Sequence, residues 1–175
     1  MPATIKTVVT FESAAFNTSA HRDYFINPGC FGDDVAIWLI EELRRRKIET
    51  AAKPGQEDFG WYLTFLMSGS EHCLVIGYRP GDDTEGGVWI GWLERSRGFF
   101  TSILGGRQRG IQREAAQTIH DILSDAPQIQ NVRWHFKDDF DSLLGRTWYS
   151  TCLRPYSKFR AKAGVGQTKQ KSLLD

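Results

Sequence analysis

The sequence predicts an α+β fold: a single domain in which an antiparallel or mixed five-stranded sheet packs against two main helices. Between Trp61 and Leu93, three strand-length apolar runs are separated by two polar turns. A helical pattern of apolar residues lies on each side of this block, and a further strand pattern lies beyond each helix. Strands grouped in the middle of a chain with helices on either side are typical of this class. We therefore predict the element order β-α-β-β-β-α-β.

The first strand and the first helix are predicted from two different spacings of apolar residues. Residues 4–12 alternate in side-chain character, which indicates a strand. Residues 33–47 repeat apolar side chains at the i, i+3, i+4 and i+7 positions of an amphipathic helix. Two aspartates begin this helix and four basic residues end it, as the helix dipole favours. Residues 13–32 are interpreted as an irregular connection.

The central block predicts three consecutive strands at residues 61–67, 72–79 and 88–93. The links between them are short, so neighbouring strands should run antiparallel as a meander. Apolar side chains occur on both sides of the alternation, whereas a sheet with one solvated face alternates more cleanly. We therefore expect a helix, a ligand or a second copy of the chain to cover the second face, and homodimer formation is one of these alternatives.

The C-terminal half predicts a loop, a helix and a strand. Residues 95–110 form a long basic loop with several glycines, and residues 111–124 carry the apolar stripe of a second helix. Pro127 ends that helix, and residues 129–136 alternate as a fifth strand. A further short helix fits residues 138–144.

Size and charge limit the domain organisation and the partners. A chain of 175 residues fits one domain, so we predict a single α+β domain at residues 1–160 and a flexible basic C-terminal tail at residues 161–175. The formal net charge of +1 gives the whole molecule no long-range field toward nucleic acid. Residues 142–174 nevertheless contain seven basic residues and no acidic one, which keeps a nucleic-acid-binding domain as an alternative.

The cysteines and the hydropathy pattern predict a cytoplasmic protein. Cys30, Cys73 and Cys152 are an odd number at wide spacings, so neither a disulfide framework nor a zinc site is indicated. The histidines show no metal-ligand spacing, and no cofactor is predicted. No apolar run approaches 18 residues, and the N-terminus lacks an apolar signal region. A reducing cytosol, with no membrane association, is the expected location.

A ligand pocket is predicted on the aromatic-rich sheet. Glycine inside a strand removes a side chain and lets another group approach the backbone closely. Gly77 and Gly91 are predicted to share one face and to form the floor of a pocket with Tyr62 and Trp89 as aromatic walls. The alternative is that each glycine accommodates a neighbouring tryptophan or marks a bulge.

An anion site is predicted just before the second helix, at Gly106, Arg107, Arg109 and Gly110. Free backbone N–H groups at a helix start, the helix dipole and two arginines together suit a phosphate or carboxylate. The segment resembles the Arg/Gln-x-x-Gly-x-Gly/Ala turn of acetyl-CoA-dependent N-acyltransferases, although Gln112 replaces the final small residue. This resemblance implies an acyl-CoA-dependent enzyme with a splayed pair of parallel strands beside the turn. The alternative is an exposed loop with a helix-capping glycine.

A partner-binding edge is predicted at Glu57 and Asp58 beside Trp61, because two adjacent carboxylates can contact a basic partner. A solvated turn is the alternative. No catalytic residue stands out, so we expect a non-catalytic binding protein for a protein partner or a small ligand on the sheet face. Small bacterial antitoxin and immunity-type domains resemble the chain in size and α+β build.

Overall fold

A computed structural model describes residues 5–57, 59–81, 87–96 and 110–144 of the chain. The described residues form six strands and three helices in one α+β unit. Their bounds in chain order are β1 Val8–Glu12, α1 Asp33–Arg45, β2 Gly55–Glu57, β3 Gly60–Met67, β4 Ser70–Arg79, β5 Val88–Arg95, α2 Arg113–Asp125, β6 Gln130–His135 and α3 Lys137–Leu144.

All the strands belong to a single sheet in the order β2-β3-β4-β5-β1-β6, and every neighbouring pair runs antiparallel. The predicted α+β class and the antiparallel alternative are therefore confirmed. The prediction of five strands is wrong for the described residues, because β2 adds a sixth. Its residues were expected to form a turn, but the chain reverses at Gly60 and β2 pairs with the start of β3, as Gln56 opposite Trp61.

The N-terminal strand lies inside the sheet, between β5 and β6. Val9 is opposite Gly91 of β5 on one side and opposite Trp134 of β6 on the other. The pairing with β6 is irregular between Thr10 and Glu12, where the register shifts. The strand β6 therefore forms one edge of the sheet among the described residues, and β2 forms the other.

The two main helices pack on one face of the sheet, which we call the helix face. One hydrophobic cluster joins α1 and α2 to side chains of β1, β3, β4 and β5, among them Phe11, Leu63, Ile76, Trp89 and Leu93. Helix α1 contributes its apolar stripe, as predicted, and α2 contributes Ala115, Ile119 and Ile122. Burial of this stripe is what holds the helices on the sheet, since short helices are marginal by themselves.

The opposite side of the sheet, which we call the outer face, carries a smaller cluster. Val8, Val75, Ile90 and Trp92 are buried there with Phe140 of α3. The expectation that a helix would cover part of the second face is thus met by α3. Among the described helices, none combines the length and the apolar character needed to cross a bilayer. Residues 161–175 lie outside the described residues, so the division into a domain and a tail stays a prediction.

Candidate functional site

A cleft of about 350 Å³ opens on the helix face, between α2 and the edge strand β6. It is formed by three segments that are distant in sequence: the residues before β1, the exposed side of α2, and the end of β6. Its described lining consists of Ile5, Lys6, Arg113, Ala116, Gln117, His120, Trp134 and Phe136. We refer to it below as the α2–β6 cleft.

Helix α2 supplies one wall of the cleft through residues at helical spacing. Arg113, Gln117 and His120 are separated by four and three positions, so they follow one side of the helix, next to its buried stripe. Ala116 lies between them and has a small side chain, which leaves space above it. The Gln117 side-chain amide donates to the Asp121 carboxylate at 2.7 Å.

The sheet supplies an aromatic wall. Trp134 is opposite Val9, so it points to the helix face, where it packs against the core. Phe136 follows two residues later, on the same side of the alternation. The Lys6 ammonium lies 5.5 Å from the centre of the Phe136 ring, in the geometry of a cation–π contact. The indole Nε1 of Trp134 is enclosed and has no hydrogen-bond acceptor among the described residues.

The electrostatic character of the cleft is positive. Lys6 and Arg113 are exposed cations, and none of the described lining residues carries a carboxylate. Burial lowers the pKa of the nearby His135 imidazole, and the positive charges of Lys6 and Arg133 lower this pKa further. The neutral form of His135 also bonds Thr10, with 2.9 Å between Nε2 and the hydroxyl oxygen. His135 lies on the outer face, so the positive charge of the described lining comes from Lys6 and Arg113, and an anion is the complementary ligand.

The described lining can bind and orient a ligand, and its Lys6 amine and His120 imidazole are also groups that can serve as a nucleophile or a base. Its described residues include no Ser, Thr, Cys, Asp or Glu that could act as a nucleophile or a carboxylate base. Over the described part of the chain, no group of three or more His, Cys, Asp or Glu side chains could hold a metal ion.

The predicted glycine pocket does not form. Gly77 is opposite Ile90 and Gly91 is opposite Ile76, so the two glycines lie on opposite faces of the sheet. Tyr62 shares the outer face with Gly77, because it pairs with Val75. The prediction of one pocket floor is wrong in its geometry, and it fails because the register of adjacent strands decides which side chains share a face.

On the helix face, Trp89 and Gly91 are packed into the core. Trp89 is fully buried, and its indole N–H donates to the Ser13 carbonyl oxygen at 3.3 Å. A Cβ added at Gly91 would lie 2.9 Å from Cγ1 of Val9 and 3.2 Å from Cδ1 of Ile76. Both residues therefore have a packing role, which was the alternative reading.

The residues of the predicted partner-binding edge lie in different environments. Trp61 is buried, and its indole N–H donates to the Cys30 carbonyl oxygen at 2.8 Å, so it is a core residue. Glu57 lies half-buried in β2, and Asp58 lies outside the described residues. The neighbouring Tyr24 and Ile26 are 56% and 68% exposed, and the Ile26 amide donates to Gln56 in β2 at 2.6 Å. The edge therefore has exposed apolar side chains that the sequence did not single out.

Of the four residues in the predicted anion turn, Gly110 belongs to the described part of the chain. Gly106, Arg107 and Arg109 lie outside the described residues. Gly110 has a φ of 92°, which only glycine adopts freely, and a Cβ there would lie 2.6 Å from the Arg95 guanidinium. The acyltransferase resemblance also implied parallel strands beside this turn. Among the described strands every neighbouring pair is antiparallel, so that expectation is contradicted.

One cysteine departs from the expectation that no disulfide is indicated. Cys30 is disulfide-bonded, so the cysteine pattern no longer supports a reducing compartment, and the cytoplasmic location stays a prediction. Cys73 is free on the outer face. Burial raises the pKa of its thiol to about 12, and the neighbouring Glu94 and Glu71 add to the rise. Cys73 is therefore protonated and unreactive near neutral pH.

The cleft residues are the main part of the candidate site that the sequence analysis did not identify. The positions of Arg113, Gln117 and His120 on one side of a predicted helix were a readable signal of a polar stripe. The alternation of Trp134 and Phe136 in a predicted strand was a second one. The sequence did not show that these residues of α2 and β6 face each other across one cleft, or that Lys6 contributes to its lining.

Comparison of the chain with models of known protein families, with curated proteins and with solved structures gives no match. The function must therefore be argued from the chemistry of the site itself.

Proposed function

We propose that this protein is a non-catalytic binding protein that holds a small organic anion in the α2–β6 cleft. The observation that carries the proposal is the lining: two cations, a histidine and an amide lie beside two aromatic rings, with no carboxylate among the described lining residues. Small-molecule sites typically combine apolar and aromatic walls with a few polar groups that fix the orientation of the ligand. The proposed function is binding because the described lining has no hydroxyl, thiol or carboxylate side chain.

The size and position of the cleft support a small ligand. Its volume of about 350 Å³ lies near the lower end of the range for ligand pockets. Arg113 belongs to α2 and Trp134 to β6. Because these regular elements already hold both residues at the cleft, no closing movement is needed to form it. A preformed site keeps the entropic cost of binding low.

A protein partner at the β2 edge is the second candidate function. Tyr24 and Ile26 are exposed near β2, where the Ile26 amide donates to Gln56, the residue before Glu57. Exposed aromatic and aliphatic side chains at an edge are a common feature of protein interfaces. Tyr24→Ser with Ile26→Ser should abolish co-purification of such a partner, and unchanged co-purification would remove this candidate.

The first experiment is a thermal-shift series with benzoate, acetate, citrate, inorganic phosphate and acetyl-CoA, and with uncharged benzamide as a control. A ligand at 100 times its Kd should add about 2.7 kcal/mol to the free energy of unfolding. We expect organic anions to raise the Tm and benzamide to leave it unchanged. The shift should decrease with added salt, because the two cations are exposed and screened.

Two variants identify the site. Lys6→Ala combined with Arg113→Ala should weaken anion binding by about tenfold or more, since a hydrogen bond to a charged group contributes roughly 1.5–3 kcal/mol. The matched control is Arg45→Ala with Lys53→Ala, which removes the same two charges from exposed positions outside the cleft. Equal losses in the two double variants would mean a general charge effect and would contradict the proposal.

A further inference from the structure

The geometry points to one ligand class for the α2–β6 cleft: a flat aromatic ring that bears an acidic group. This inference rests on the proposed function, because it requires that the cleft binds an organic anion. It goes further by stating which part of the ligand meets the sheet and which part meets the helix. The acidic group is held by Arg113 and Lys6, and the ring contacts Trp134 and Phe136.

The aromatic side of the cleft favours a ring over an aliphatic chain. Trp134 and Phe136 are two residues apart in an extended segment, so their backbones are separated by roughly 6.6 Å. Aromatic rings interact best at centroid separations of about 4.5–7 Å, in offset or edge-to-face arrangements. Because both side chains line the same cleft, a single inserted ring can contact both of them, and such contacts add stabilisation beyond that of buried apolar area.

The two cations of the cleft determine where the acidic group of the ligand binds. Lys6 already lies over the Phe136 ring, so a positive charge stands beside the aromatic wall. Arg113 faces the same space from the first residue of α2, where the helix dipole also favours negative charge. Its guanidinium can bind a carboxylate or a phosphate ester through two parallel hydrogen bonds. An acid joined directly to the ring therefore satisfies both sides of the cleft together.

The far end of the cleft accepts a further polar substituent. His120 lies seven residues after Arg113, which is roughly 10 Å along the helix axis. The His120 imidazole and the Gln117 side-chain amide provide hydrogen-bonding groups at that end.

The test measures Kd by calorimetry for two matched pairs on the full chain: benzoate against cyclohexanecarboxylate, and phenyl phosphate against cyclohexyl phosphate. Within each pair the charge is the same and only the flat ring is lost. We expect the aromatic member to bind roughly three- to tenfold more tightly in at least one pair. The pair with the larger preference identifies the acidic group as a carboxylate or a phosphate ester.

Two further measurements localise the preference. Phe136→Leu should remove most of the ring preference, and Phe136→Tyr should retain it. The aromatic ligand should also shift the NMR resonance of the Trp134 indole N–H, which Trp134→Phe assigns by its disappearance. This readout does not depend on whether a variant is less stable than the parent protein.

The outcomes separate the two proposals. Equal or weaker binding of the aromatic members in both pairs, with binding still lost in the Lys6 and Arg113 double variant, would overturn the ligand class and leave the proposed function intact. Binding of all four acids that is insensitive to this double variant would overturn both. A ring preference that Phe136→Leu abolishes supports both.

Discussion

The two glycines on neighbouring central strands show how differently the two faces of the sheet are built. Gly91 lies on the helix face, where an added Cβ would meet Val9 at 2.9 Å. Gly77 lies on the outer face, where the nearest described atom to an added Cβ is the Nη1 atom of Arg79 at 3.9 Å. Both glycines are buried, yet one has no spare volume and the other does. Burial alone therefore does not tell whether a glycine is needed.

The lesson extends to the aromatic residues. Trp89 and Trp61 are buried in the helix-face core, where their indole N–H groups are bonded to carbonyl oxygens. Trp134 is on the same face but at the edge of the sheet, and its N–H has no acceptor among the described residues. Trp61 and Trp89 are therefore core residues with satisfied N–H groups, whereas Trp134 is a half-buried edge residue whose N–H the described residues leave unsatisfied.

The largest effect should come from the helix face. Trp89→Ala removes a fully buried side chain and should lower the free energy of unfolding by about 3–5 kcal/mol. Leu66→Ala, at an exposed position of β3, is the control and should change it by about 0.5 kcal/mol or less. Urea unfolding of the two variants measures the difference. Similar losses in both would show that the two faces are packed alike.

Substitutions of the two glycines test the difference between the two faces directly. The expected change in the free energy of unfolding is smaller than for Trp89→Ala. Gly91→Ala should destabilise the protein by about 1–3 kcal/mol, because the added methyl group overpacks the space beside Val9 and Ile76. Gly77→Ala is the matched control, and we expect it to stay within about 0.5 kcal/mol of the parent. The measurement is again urea unfolding. A larger loss of stability in Gly77→Ala than in Gly91→Ala would contradict the conclusion that the helix face is the more tightly packed of the two.

The smallest effect concerns protonation on the helix face. His72 is fully buried: its Nδ1–H donates to the Ser70 carbonyl oxygen at 3.0 Å, and its Nε2 accepts the Gln112 N–H at 3.4 Å. Burial lowers the pKa of His72. The unfolded chain, with a histidine pKa of about 6.5, therefore takes up the proton first as the pH falls. The stabilisation from neutral His72 is present above pH 6.5 or so and is lost toward the lower folded pKa.

This linkage is measured by urea unfolding between pH 7 and pH 5. One proton changes the free energy of unfolding by at most about 1.4 kcal/mol per pH unit. His72→Gln should flatten the dependence, and His135→Gln on the outer face should also flatten it, because burial lowers the pKa of that imidazole too. An unchanged slope in His72→Gln would show that His72 does not titrate in this range.

The sequence predicted the elements that carry strong local patterns. The apolar spacing of α1 and the alternation of β3, β4 and β5 correspond to the observed elements, because buried residues recur there at the period of each structure. Strand β2 was missed because Gly55–Glu57 has no apolar alternation, and its pairing is imposed by the neighbouring strand.

The candidate site was less predictable for a physical reason. Which side chains share a face depends on strand register, and a shift of one residue reverses it, so the grouping of Gly77 with Gly91 could not be tested from spacing alone. The cleft also combines Lys6, Arg113 and Trp134 from three separate segments. Each was visible in the sequence, but their proximity arises only from tertiary packing.

The interior position of β1 has a consequence for how the chain acquires its shape. This strand is near the start of the chain, yet both of its partners, β5 and β6, are made much later. During synthesis β1 stays unpaired until β5 and β6 have been made. Its pairing with strands that are distant in sequence makes folding slower than in a protein dominated by local contacts. The β1–β6 pairing also joins Lys6 to Trp134. The cleft therefore exists only in molecules in which β1 has paired with β6.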